Sequence, residues 1–314
     1  MVSIKNVLCP IDFSEFSRHA FDRAVAIAQT HGAAVTAIHV VQAQAPPPFI
    51  PYGASGSLDA FTLSPSDREH LAKELAAFVA HEPPVNVPIA HKVIDGFSIA
   101  REIVTEAAAL SADLIVMGTH GRTGFQRFLL GSVTERVLRA APCPVLTVGE
   151  AEARVRGDAA TFKRILCAVD FSECSIAALD FAVALAEPAK SEITAVNVIE
   201  WTPVGYDPLV GPPTDLAGYR MAAEVISRDR LHTVVQQAAH GTTTIAEIVS
   251  AGKPYHEILR IAEQYKSDLI VLGIHGRNPI DRMLFGSTAE PLVRRATCPV
   301  LTVRAKPAVA AVAA

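Results

Sequence analysis

The 314-residue chain sets 28 lysines and arginines against 32 aspartates and glutamates, a formal net charge of −4, and half of its residues are hydrophobic. That balance offers no basic face to a nucleic acid, and no apolar stretch approaches the roughly 18 residues that cross a bilayer. Length and apolar content fit two domains, each able to bury its own core.

Met1-Val-Ser-Ile-Lys-Asn has no signal-peptide layout and runs straight into a strand, so a soluble cytoplasmic protein is expected. The apolar run Ile4–Ile11 predicts a buried strand. Asp12-Phe-Ser14 then caps a helix reaching about Thr30, with Phe16, Ala20, Ala24 and Ile27 on one face and His31-Gly32 as its stop. Val35–Val41 predicts the second strand. Ala45–Ser64 is rich in Pro, Gly and Ser and predicts a mobile loop. Ser64-Pro65-Ser-Asp67 starts the next helix, to about His81. Alternation over Val85–Val93 predicts a third strand, Phe97–Leu110 a third helix and Leu114–Met117 a fourth strand. Ser132–Ala140 reads as the fourth helix and Pro144–Val148 as the fifth strand.

The second half repeats that order from Phe162 to Val303. Leu8-Cys-Pro-Ile-Asp-Phe-Ser-Glu15 matches Leu166-Cys-Ala-Val-Asp-Phe-Ser-Glu173. Ala141-Pro-Cys-Pro-Val-Leu-Thr-Val148 matches Ala296-Thr-Cys-Pro-Val-Leu-Thr-Val303. The offset is 158 residues between Asp12 and Asp170 and 155 between Gly118 and Gly273, so the second copy is three residues shorter between its second strand and its glycine loop. Each unit has the size of a common domain, about 100–150 residues. The division is 1–149, a polar linker over 150–161, 162–304, and a small-residue tail over 305–314. Trp201–Leu216 is the counterpart of the Pro-rich loop. Strand–helix alternation implies a parallel sheet wrapped on both faces.

A pair of glycine loops carries the chemistry. Gly118-Thr-His-Gly121 leads to Gly131-Ser132, and Gly273-Ile-His-Gly276 leads to Gly286-Ser287, with nine residues between the second and third glycine in each. Each loop follows an apolar strand and precedes a predicted helix beginning at Ser132 or Ser287. Glycines let a backbone approach phosphate, and a helix N-terminus offers free N–H groups and partial positive charge. In an open α/β sheet, ligands sit beyond the carboxyl ends of the strands, where the strand order reverses. Asp12 and Asp170, at the end of the first strand of each copy, are placed to accept from ribose hydroxyls, or serve only as helix N-caps. Arg122, Arg127, Arg277 and Arg282 either touch phosphates or are solvated. His120 and His275 read as packing residues, because no partner at ligand spacing lies nearby. Of the five cysteines, Cys9 and Cys167 are repeat equivalents, as are Cys143 and Cys298. They read as small buried hydrophobes, with Cys174, at a helix start, the candidate for a redox-sensing thiol.

The Pro-x-Asp-Phe-Ser strand end, the spaced glycine loop and the Ala-Pro-Cys-Pro-Val-Leu-Thr-Val strand together resemble the universal stress protein family, over nearly the whole chain. The resemblance implies two tandem Rossmann-like domains, each a five-stranded parallel sheet of order 3-2-1-4-5, and ATP as the ligand with Mg2+ as its companion. It implies a first site of Pro10, Asp12, Val40, Gly118, Gly121, Arg122, Gly131, Ser132 and Val133. The second is Ala168, Asp170, Val198, Gly273, Gly276, Arg277, Gly286, Ser287 and Thr288. The aspartates would contact ribose, Val40 and Val198 would meet adenine through their backbone, and the glycines and serines would hold phosphates. The fifth strands commonly pair between such domains, so Val145–Val148 and Val300–Val303 are expected to form an internal pseudo-dimer. A homodimer and an unidentified protein partner are left open.

The copies are unequal. Gly121-Arg-Thr-Gly124 becomes Gly276-Arg-Asn-Pro279, which loses a glycine and stiffens the loop, and the first site is expected to bind tighter. No GxxxxGK[ST] loop is present, so ATP binding is expected with at most slow hydrolysis. A nucleotide-dependent signalling protein is the first reading, with a slow ATPase or phosphotransferase and a nucleotide-free scaffold as alternatives. The dinucleotide fingerprint expected after a first strand is replaced by Pro10-Ile-Asp12-Phe, which argues against an NAD enzyme.

Overall fold

A computed structural model describes residues 2–43, 63–80, 86–119, 130–149, 161–200, 216–239, 244–274 and 286–304. The predicted loops over 45–64 and 201–216, the linker and the tail lie almost wholly outside these residues, as do His120, Gly121, Arg122, Arg127, His275, Gly276, Arg277 and Arg282. The chain divides into two compact units, one over Ser3–Thr161 and one beginning at Phe162.

In the first unit, β1 (Asn6–Pro10), β2 (Ala34–Gln42), β3 (Ile89–Gly96), β4 (Leu114–Gly118) and β5 (Val145–Val148) form the sheet. The helices are α1 (Glu15–His31), α2 (Pro65–Val79), α3 (Ile99–Ala109) and α4 (Ser132–Ala140). In the second unit, β6 (Arg164–Ala168), β7 (Glu192–Ile199), β8 (Ile245–Ala251), β9 (Leu269–Gly273) and β10 (Val300–Val303) alternate with α5 (Glu173–Ala186), α6 (Leu216–Ala238), α7 (Pro254–Gln264) and α8 (Ala289–Arg295). The order is β3-β2-β1-β4-β5 in one unit and β8-β7-β6-β9-β10 in the other, with every pair inside a unit parallel. Both are therefore the expected 3-2-1-4-5 sheet.

Successive strand residues point to opposite faces. Val7, Leu8 and Cys9 are all at most 2% exposed, as are Ile165, Leu166 and Cys167, so helices cover both faces of each central strand. Each such large aliphatic side chain stabilises the fold by about 1.5–3 kcal/mol relative to exposure. Asp113 Oδ2 accepts from the amides of Lys5 and Asn6 at 2.8 and 3.0 Å, and Asp268 does the same for Lys163 and Arg164. These carboxylates fasten the entry of the first strand to the fourth, at the end away from the glycine loops.

The third strand lies later than the alternation over Val85–Val93 suggests. It runs Ile89–Gly96 and pairs with β2 from Val35↔Ile89 to Gln42↔Gly96. Ala90, His91 and Lys92 are exposed on this outer strand, so its residues carry no core pattern to mark its ends. The third helix starts at Ile99 and not at Phe97, which is 64% exposed and precedes the cap position Ser98.

Candidate functional site

Each first strand ends in the same turn. Phe13 and Phe171 adopt φ of 62° and 65°, the left-handed region that bulky residues rarely enter. That one residue reverses the chain from strand into helix. Ser14 and Ser172 are the N-caps, accepting from the amides of Ser17 and Ser175 at 3.2 Å. Asp12 and Asp170 are therefore not the helix caps. Asp12 Oδ1 accepts from the Ser14 amide at 3.0 Å and its hydroxyl at 2.5 Å, and Asp170 Oδ1 accepts from the Ser172 amide at 3.0 Å. The turn holds each carboxylate at the carboxyl end of the sheet.

The neighbouring strand is tied to the same place. Pro10 pairs with Ile38 and Ala168 with Val196, so Val40 and Val198 stand two residues beyond those pairs, beside the turn. His39 Nδ1 hydrogen-bonds the Ile11 carbonyl at 2.7 Å, and Asn197 Nδ2 donates to the Val169 carbonyl at 2.7 Å. The Ser227 hydroxyl of α6 donates to Asn197 Oδ1, a buried chain that fixes the backbone just before Asp170.

On the other side of the first strand, Thr134 Oγ1 donates to the Gly118 carbonyl at 3.0 Å, and the Gly131 amide to the Thr119 carbonyl at 2.9 Å. The start of α4 is thereby pinned to the end of β4. Gly273, at the end of β9, answers a different demand. A Cβ there would fall on the backbone of Cys174 and Ser175. The absent side chain lets α5 lie against the strand end.

The two copies differ at the third glycine. Gly131 has φ −59°, and α4 begins at Ser132 as expected, with the Glu135 amide reaching the Gly131 carbonyl at 2.9 Å. Gly286 has φ +86°, a conformation that favours glycine, and α8 begins only at Ala289. The predicted helix start at Ser287 is thus corrected: Ser287 and Thr288 lie in a turn before the helix. Pro291 is the physical cause. It stands where the first copy has Arg136, has no N–H for the Ser287 carbonyl, and its ring opposes that carbonyl in a helix. The corresponding cap bond, from the Glu290 amide to the Gly286 carbonyl, is long at 3.3 Å.

These elements enclose a cavity of about 430 Å3 in the second unit. It gathers Ala168, Asp170, Val198, Gly273, Gly286, Ser287 and Thr288, seven of the nine residues expected there; the other two lie outside the described residues. Its wall also includes Ser175, Glu200, Pro254 and Ile258, which the sequence reading did not name. Glu200 was legible in principle, since it directly follows the strand on which Val196 and Val198 alternate onto one face. In the first unit, Pro10, Asp12, Val40, Gly118, Gly131, Ser132 and Val133 occupy the corresponding strand ends and helix start.

The cysteines serve packing. Cys9 and Cys167 are fully buried in β1 and β6, and burial drives both thiols far above the ordinary range, helped by the nearby Asp22 and Asp180. Burial likewise pushes Cys143 and Cys298 up to about 12. Cys174 sits in the first turn of α5 and is 9% exposed. Among the described residues no group of three His, Cys, Asp or Glu side chains is placed to hold a metal ion, and no helix is long and apolar enough to cross a membrane.

Comparison with known proteins assigns the repeat. The universal stress protein family profile matches residues 3–149 and again 161–304. A universal stress protein of Methanocaldococcus jannaschii is 40% identical over 144 residues, covering 46% of this chain and 81% of its own. One from Mycobacterium tuberculosis is 28% identical over 193 residues, 62% of each chain. Among solved structures, a universal stress protein of Archaeoglobus fulgidus superposes with a TM-score of 0.63 at 21% identity, covering 97% of this chain and 98% of that one. A protein of Pseudomonas aeruginosa does so with a TM-score of 0.65 at 17% identity, covering 96% and 93%. These last two likenesses concern the fold. With both halves matched separately by the family profile, this chain belongs to the universal stress protein family and carries two copies of its domain.

Proposed function

We propose that the protein binds adenine nucleotide at the carboxyl ends of its two sheets and uses occupancy to set its encounters with a protein partner in a stress response. The observation that carries this reading is the cavity of the second unit, where strand-end aspartate, strand-two valine and the Gly-Ser-Thr turn converge. Asp12 and Asp170 accept from ribose hydroxyls. Val40 and Val198 present backbone groups to the base. Gly118, Gly131, Ser132 and Val133, and their counterparts Gly273, Gly286, Ser287 and Thr288, face the phosphates. Pro10 and Ala168 line the strand end. Gly121, Arg122, Gly276 and Arg277 complete the loops in this proposal, and ATP brings Mg2+ with it.

The first site is the stronger phosphate site in this reading. Ser132 opens a nine-residue helix with a short cap bond, whereas Ser287 precedes its helix in a turn. Free amides at a helix start favour an anion. We also propose that β5 and β10 pair as an internal pseudo-dimer, as the tandem repeat suggests.

The test is the nucleotide content of the purified protein, released by denaturation and separated by chromatography, for wild type and for Gly131→Val and Gly286→Val. Bound ATP lost mainly with Gly131→Val is the expected result. Protein that carries no nucleotide and takes none up with ATP and Mg2+ would return the fold to a scaffold role.

A further inference from the structure

Strand order fixes the direction of a ligand in the second cavity. β6 is flanked by β9 on one side and β7 on the other. Gly286, Ser287 and Thr288 come after β9, Asp170 lies two residues past β6, Val198 lies near the end of β7, and Glu200 directly follows it. A nucleotide with its phosphates at the glycine turn and its ribose at Asp170 must direct its base toward β7. There the wall is apolar on one side, through Pro254 and Ile258, and carries one exposed carboxylate, Glu200.

We infer that Glu200 makes the second site selective for a purine carrying an exocyclic amino group at position 6, over one carrying a carbonyl there. This rests on the nucleotide reading above and adds a side-chain determinant of base choice to it. A carboxylate only accepts hydrogen bonds. A 6-amino group donates to it, while a 6-oxo group sets two acceptors face to face and leaves only the N1–H of such a base to donate. Position along β7 supports the role. Val196 and Val198 alternate onto one face of β7, and Glu200, the first residue after the strand, lines the cavity beside them. The first unit lacks this group. Its counterpart, at the same offset of 158 residues, is Gln42, whose Nε2 donates to the Phe97 carbonyl at 3.4 Å. The two sites therefore differ in base choice as well as in phosphate grip.

The probes are ATP and ITP, which differ in the 6-substituent of the purine and in N1, an acceptor in ATP and an N–H donor in ITP. Binding is followed by calorimetry on the full chain, with Gly286→Val identifying the contribution of the second site. A charge-assisted hydrogen bond at a partly solvated carboxylate should make the second site prefer ATP by up to about tenfold. Glu200→Gln should reduce that preference, since an amide both donates and accepts. Glu200→Lys, a donor alone, should shift it toward ITP, and Gln42→Glu should introduce an ATP preference at the first site. Glu200 is exposed, so these variants should keep the thermal midpoint of wild type. ATP binding retained with an unchanged ATP-to-ITP ratio in both Glu200 variants would overturn the inference and leave the nucleotide reading intact. Wild-type protein that binds neither nucleotide would overturn both.

Discussion

A Cβ on Gly273 would collide with the backbone of Ser175, at the first turn of α5. The glycine at the end of β9 is thus explained by packing before any ligand is considered. Gly273→Ala must push α5 off the strand end, and overpacking of this kind costs about 1–3 kcal/mol. Urea unfolding should show that loss without nucleotide. Among the described residues, Gly286→Ala meets no atom nearer than the Ala289 Cβ at 3.9 Å, but carries φ +86°. Its cost should be the conformational one, about 1–2 kcal/mol. Unchanged unfolding in Gly273→Ala would show that α5 does not press on the strand end.

Pro291 separates the two phosphate turns. Pro291→Arg restores the residue of the first copy and the missing N–H. The helix should then extend toward Ser287, and the backbone chemical shifts of Ser287 should move to helical values. Triphosphate affinity at the second site should rise in parallel. Shifts that stay where they are would mean that the turn is set by Gly286 and not by the proline.

Repetition made the architecture legible. Two copies of one strand–helix order predict two parallel sheets, and Ser64 and Ser132 mark helix starts where the structure has them. What escaped reading has physical causes. β3 is an outer strand with exposed Ala90, His91 and Lys92, so no buried face writes its limits into the sequence. The start of α8 depends on a proline lying after the glycine motif, outside the spacing that drew attention. Asp12 and Asp170 looked like caps because the capping serine lies only two residues on; the left-handed phenylalanine between them separates the roles. Glu200 was missed because Val198, two residues before it, was read for its backbone.

Buried thiols predict an alkaline limit. Cys9, Cys143, Cys167 and Cys298 all have thiols raised above their ordinary value of 9.0 by burial. Below pH 9 both folded and unfolded states keep the proton, so these groups leave stability independent of pH. Above it the unfolded chain ionises first, binds fewer protons, and stability falls. Each thiol contributes a slope of up to about 1.4 kcal/mol per pH unit. Urea unfolding at pH 8 and pH 10.5 should show the decline, and Cys9→Val with Cys167→Val should make it shallower. The same slope in the double variant would assign the decline to other groups.

Phe13 and Phe171 share a strained backbone but not the same neighbours. Phe13 packs its ring against His39 at 4.6 Å and edge-on to Phe78 at 5.8 Å. Phe171 lies under the Arg230 guanidinium at 4.2 Å. Glycine would relieve about 1–2 kcal/mol of left-handed strain at either position. It would also forfeit ring contacts, about 0.5–1.5 kcal/mol for each aromatic pair and about 0.5–1 kcal/mol for an exposed cation–π contact. Both residues are half-buried, so loss of ring area adds to each. Phe13→Gly should therefore destabilise more than Phe171→Gly. Equal losses in the two variants, measured by urea unfolding, would show that strain and stacking do not balance differently in the two copies.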